Sequence, residues 1–132
     1  MNIMQRFLGG VSFGAFRNTG RQFAPGSVVI GITARAGGGQ ASATLLTGQT
    51  NSVDTVATAA DSVKLPPPDF VGQQIHVLNN DSADSMQVFG SGTDTINGVA
   101  TATGVAQAAG KLAIYQAMTT GTAAKWFRLL SA

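Results

Sequence analysis

The stretch QIHVLNNDSADSMQVF, residues 74–89, holds two short runs of alternating character around a polar middle. In the first run Ile75 and Val77 fall on one side and His76 on the other; in the second, Met86 and Val88 share a side. Alternation is the period of a half-buried β-strand, because successive side chains point to opposite faces. Between the runs, residues 79–84 (Asn-Asn-Asp-Ser-Ala-Asp) form a turn by composition, since Asx side chains hydrogen-bond their own backbone. The stretch reads as a hairpin.

The same grammar continues on both sides. Ser27–Ala34 (SVVIGITA) is rich in β-branched residues and is broken by Gly37-Gly38-Gly39. Ala43–Thr47 and Ser52–Thr58 are further strand candidates, and Ser62–Leu65 ends at Pro66-Pro67-Pro68, where no N–H is available to extend a ladder. Lys111–Met118 sets Leu112, Ile114 and Gln116 against Ala113 and Tyr115, and Lys125–Leu130 sets Trp126 and Arg128 against Phe127 and Leu129. Val99–Ala109 is alanine-rich, yet Gly104 and four β-branched residues argue against a helix. Val56-Ala57-Thr58-Ala59 returns as Val99-Ala100-Thr101-Ala102, hinting at two similar edge strands. Close-spaced short strands predict an all-β fold over residues 27–132, a small β-sandwich or β-barrel of short antiparallel strands. Its expected core is Ile75, Val77, Met86, Val88, Ile114 and Trp126.

Residues 1–26 have a different composition. Four of the seven phenylalanines (Phe7, Phe13, Phe16, Phe23) lie there among glycines, with Arg6, Arg17 and Arg21. Each interior glycine costs a helix about 1 kcal/mol relative to alanine, so the segment reads as an extended arm. Aromatic and arginine side chains are what interface anchors use, and these seven residues are the expected partner contacts. The bland reading folds the phenylalanines back onto their own domain. Charge divides the chain similarly. Residues 1–53 hold four arginines and no acid, whereas residues 54–132 hold six aspartates against four basic residues, a net of −2. Only 11% of the 132 residues are charged, less than half the usual fraction of about 25%. Such a surface repels its own copies weakly and suits a larger assembly.

The segment FGSGTDTIN, residues 89–97, comes nearest to a chemical motif: it matches most of the calcium-binding nonapeptide, with Phe89 in place of the first glycine. That site needs tandem copies, and no second copy occurs. Asp81, Asp84 and Asp94 do not form a ligand loop with six to eight oxygens. A phosphate loop would need a third glycine and a following helix, or a Walker lysine. No metal or cofactor is therefore expected, and Asp94 reads as a turn cap. His76 is the only histidine and lies within a strand, and no G-x-S-x-G motif accompanies it, so an enzyme is not expected. Without cysteine there is no thiol chemistry or disulfide. No apolar run approaches the eighteen or so residues of a membrane span. Four arginines spread over thirty residues are a thin patch for tracking phosphates, so an acidic protein surface is preferred to direct nucleic-acid binding.

Three segments taken in order carry a resemblance: TVATAADSVKLP (55–66), QVFGSGTDTINGVATATGVAQAAGK (87–111) and AAKWFRLLSA (123–132). Together, over roughly residues 33–132, they resemble a module of small virion proteins of tailed bacteriophages. The resemblance implies a non-enzymatic β module of the phage particle, made in the host cytoplasm. With the aromatic, basic arm, the expectation is a capsid decoration (cement) protein on the capsid exterior. Its arm would lie on the major capsid protein, and its β domain would form a homo-oligomer, a trimer first and a dimer second. The alternatives are a tail, fibre or baseplate adsorption module, for which only Trp126 and Tyr115 would be available to contact glycans, and a small glycan-binding β domain with no structural role.

Overall fold

The computed structural model describes residues 27–132, and the arm lies outside them. The described residues form ten strands: β1 (Val28–Thr33), β2 (Thr44–Leu45), β3 (Thr50–Thr55), β4 (Ser62–Lys64), β5 (Gln74–Asn79), β6 (Met86–Phe89), β7 (Thr95–Ile96), β8 (Val105–Gln107), β9 (Leu112–Ala117) and β10 (Lys125–Leu130). Among the described residues there is no helix, so the all-β expectation holds.

The expected antiparallel pairing does not hold for the first half of the fold. One sheet has the order β1-β3-β5-β9-β10-β7 and the other β2-β4-β6-β8. The first six strands alternate between the sheets, and each runs parallel to the preceding strand of its own sheet. Val28 pairs with Thr50 and Thr50 with His76, while Thr44 pairs with Val63 and Val63 with Val88. Each return thus takes 19–26 residues, and the chain winds in coils. Parallel neighbours need a crossover, and here the crossover is a short strand of the opposite sheet. The winding then stops: β8 pairs antiparallel with β6, β9 with β5, and β10 with β9, and β7 joins β10 in parallel.

Residues 74–89 are accordingly a corner and not a hairpin, because β5 and β6 belong to different sheets. The Asn79 amide, fully buried, donates to the Asp84 carbonyl (3.0 Å), while the Asp81 carboxylate accepts from Ala83 and Asp84 N–H. The corner is therefore built from the side chains that suggested a turn. The repeated V-A-T-A segments also differ from expectation: both fall in turn and loop backbone outside the strands. β4 ends just before Leu65 and the proline run, as anticipated.

One apolar cluster draws on both sheets, with Val53, Val77, Tyr115 and Trp126 from the larger and Val63, Met86, Val88 and Val105 from the smaller. Five of the six expected core residues are buried there. Ile114 is not: β9 turns Ala113, Tyr115 and Ala117 inward and leaves Ile114 half-buried on the outer side. The side with fewer large aliphatics won because β10 places Trp126 directly opposite Ala117, and a small residue accommodates the large ring. That choice leaves Leu112 and Ile114 facing outward.

Candidate functional site

The loop 89–97 crosses from the smaller sheet to the larger. Gly92 has φ +55°, a conformation that favours glycine. Gly90 is required for space instead: a Cβ there would lie 2.9 Å from both the Cβ and the carbonyl oxygen of Asp94. Gln40 clamps the loop, its amide nitrogen donating to the carbonyls of Gly90 and Gly92, each at 2.7 Å. All this is consistent with a turn. Asp94, however, is more than a local cap: its buried carboxylate accepts the Ala124 N–H at 2.8 Å, thirty residues away, and so ties the loop to the start of β10.

Burial pushes the Asp94 carboxyl above the ordinary carboxylate range, against the weaker opposing effects of the Ala124 N–H and the Trp126 indole. The indole N–H faces this carboxylate without reaching hydrogen-bond geometry, and it is the buried side-chain donor that remains unpartnered among the described residues. A raised folded-state pKa means that ionised Asp94 opposes folding above about pH 3.8, and that this penalty fades as pH falls through its raised value. Asp94→Asn is therefore expected to be most favourable relative to the parent near pH 7. The advantage should shrink on acidification, as urea unfolding at a series of pH values would show. An advantage independent of pH would remove the burial argument.

The other aspartates behave oppositely. Hydrogen bonds from Ser52 and Asn80 hold exposed Asp54 low, and the Asp84 and Ala83 N–H groups hold Asp81 low. For Asp61, burial pushes upward, but the Thr58 hydroxyl and the N–H groups of Thr58, Gly37 and Ala57 together outweigh it. These carboxylates organise turns. Among the described residues no group of three His or Asp side chains is placed to hold a metal ion.

The most developed polar site is internal. Gln107 is fully buried; its amide donates to the carbonyls of Val77 (2.8 Å) and Lys111 (2.9 Å), and its Oε1 accepts the Tyr115 hydroxyl at 2.7 Å. Asn79 donates to the Gln107 carbonyl at 2.9 Å. Burial pushes the Tyr115 phenol well above its usual range. These groups are paired with one another and fix how β5, β8 and β9 meet. Tyr115 and Trp126 are both buried, so neither offers a surface to a glycan.

His76 lies on the opposite side from Ile75 and Val77, as the alternation indicates, half-buried on the outer face of the larger sheet. Its row runs Leu129, Ile114, His76, Thr50, Val28 across five strands. Flanking it are Leu112, Leu78 and Ser52 on one side and Phe127, Gln116 and Gln74 on the other. Ile30 continues the Val28 side and is 73% exposed; Leu129 is 65% and Phe127 58% exposed. The outer face of this sheet is thus mixed: exposed apolar side chains stand on β10 and β1, with His76, Thr50 and Ser52 between them; grouped exposed apolar side chains are a usual mark of an interaction surface. Sequence reasoning recorded Phe127 and Leu129 on one side of β10 but did not join them across strands to Val28 and Ile30, because that needs the register.

An open cleft of about 660 Å³ lies at one end of the fold, between Leu45, Gly48, Pro66, Asp69 and Phe70 and beside Ser27. Arg6, Phe7, Phe13, Phe16, Arg17, Arg21 and Phe23, the expected partner contacts, lie outside the described residues. Among the described residues no helix is long and apolar enough to cross a membrane. No protein-family model, curated protein or solved structure matches the chain.

Proposed function

We propose that this chain is a structural protein of a bacteriophage particle, a capsid decoration protein that binds the major capsid protein lattice from outside. The observation that carries the reading is the set of exposed apolar side chains on the outer face of the larger sheet, Phe127, Leu129, Val28 and Ile30, on a chain with only 11% charged residues. A surface of this kind is stable when covered, and repeated assembly is a setting in which every copy is covered. The two sheets act as a sandwich-like pair around one core. The fully paired Tyr115–Gln107–Asn79 network suits a scaffold better than a reaction site, since its polar groups are already occupied. The phenylalanine- and arginine-bearing arm supplies the capsid contacts, and copies of the domain associate as a trimer at three-fold positions or as a dimer at two-folds. No cofactor takes part.

Copy number in the purified phage particle tests the reading. Hundreds of copies per particle are expected for a lattice-decorating protein. A count of a few dozen or fewer would place the chain in the tail, and absence from the particle would overturn the reading altogether.

A further inference from the structure

We infer that the open cleft at the end of the fold is the docking site of this chain's own residues 21–26, with Phe23 covering Leu45 and Phe70. The inference goes beyond the proposed function. It fixes the root of the arm and leaves Arg6, Phe7, Phe13, Phe16 and Arg17 for the capsid.

The winding of the fold says from where the chain enters. Thr50 N–H donates to the Ser27 carbonyl at 2.9 Å, as His76 N–H donates to the Gln49 carbonyl at 2.7 Å, and Val28, Thr50 and His76 are register partners. Ser27 therefore stands one coil before Gln49, and it lines the cleft itself. The 22-residue step from Val28 to Thr50 sets Gly26 against Gly48 and Phe23 against Leu45. Gly48 has no room for a side chain, because a Cβ would lie 2.8 Å from the Thr50 carbonyl oxygen two residues on. A like turn before β1 needs glycine at the like place, and Gly26 supplies it. β2, which ends at Leu45, closes the order of its sheet, so its outer edge is open among the described residues.

The shape and chemistry of the cleft fit the same occupant. Four residues, 46–49, join β2 to β3, whereas nine, 65–73, join β4 to β5 and wall the cleft beside the shorter turn. The longer loop is fastened by Gly72 N–H on the Ala117 carbonyl (2.7 Å) and Asp69 N–H on the Gln73 side-chain oxygen (2.6 Å). Phe70 on this wall is 45% exposed and Leu45 47% exposed. Phe23 lies four residues before Ser27, within the roughly 14 Å that four residues can span. The volume of about 660 Å³ suits a short segment, since ligand clefts run from about 300 to 1,000 Å³. Charge agrees: among the described lining residues Asp69 alone is charged, and the first charged residue upstream of Ser27 is Arg21.

The test is limited trypsin digestion of the full chain, with the products read by mass spectrometry. Trypsin cuts after Arg6, Arg17 and Arg21, so the first two sites report the arm outside the cleft. Cleavage of a docked site tracks the fraction undocked. In wild type, cleavage after Arg21 is expected to be at least about tenfold slower than after Arg17, both scaled to the urea-unfolded chain. Leu45→Ser, Phe70→Ser and Phe23→Ser, each alone, are expected to bring the two rates together, and Asp69→Asn to narrow the gap by a smaller factor. Leu45 and Phe70 are half exposed, so circular dichroism should show the strands retained. Ala57→Ser, on an exposed turn, should keep the protection. Equal rates in wild type, or protection that the cleft variants leave intact, would overturn the inference. Protection that fades on dilution would overturn it too, because the segment of a second copy would then be the occupant. The proposed function fails separately, by absence of the chain from the particle.

Discussion

Replacing Trp126 with alanine is expected to lower the unfolding free energy by about 3–5 kcal/mol. Trp126 is the largest of the buried side chains, 2% exposed, and it lies in the cluster shared by both sheets. Both flanking strands border it: Ala117 stands opposite it on β9, and Ile96 pairs with it from β7. The loss is large against a total of roughly 5–15 kcal/mol for a domain of ordinary stability. Trp126→Phe should cost far less, under about 1.5 kcal/mol, because a ring still fills most of the space. That substitution also discards a buried indole N–H that has no hydrogen-bond acceptor among the described residues. Urea unfolding followed by far-UV circular dichroism checks both, since the chain has one tryptophan and its fluorescence is lost in these variants. Equal losses for alanine and phenylalanine would mean that the indole nitrogen, and not the ring volume, carries the stabilisation.

Removing residues 1–26 is expected to abolish binding to phage heads while leaving the β domain folded. The core residues run from Ala34 to Trp126, and β1 begins at Val28, so the truncation removes neither. What it removes is four phenylalanines and three arginines, the residue types that concentrate binding energy at interfaces. Co-sedimentation of full-length and truncated protein with heads lacking the native protein measures the effect, and circular dichroism confirms the fold. Unchanged decoration by the truncated chain would transfer the capsid contact to the β domain.

Strand positions were readable because alternation depends only on the chain itself. Lys125–Leu130 appears as a strand with the bounds that its sequence suggested. Strand partners were not readable. Ile75 and Val77 point inward whether β5 meets a parallel or an antiparallel neighbour, so alternation says nothing about direction. The Asx-rich segment 79–84 looks the same as a hairpin turn or as a corner between sheets. On β9 the larger aliphatics suggested the wrong face, because volume complementarity to Trp126 outweighed bulk at Ile114. For the loop 89–97 the turn was visible in its glycines. The tether from Asp94 to Ala124 was not, since it spans thirty residues.

The position of β9 has a consequence for the order in which the chain can be completed. β9 pairs with β5, so the β5 edge has no permanent neighbour until residues 112–117 exist, and β7 waits longer still for β10. During synthesis the nascent chain therefore carries an open strand edge with Ile75 and Val77 beside it, the kind of edge that recruits other chains. Loss of the last eight residues, which removes β10 and leaves β9, would make that vulnerability permanent for the β9 edge, which β10 otherwise covers. Nonsense changes near the C-terminus should accordingly yield aggregated protein instead of a slightly shortened soluble one.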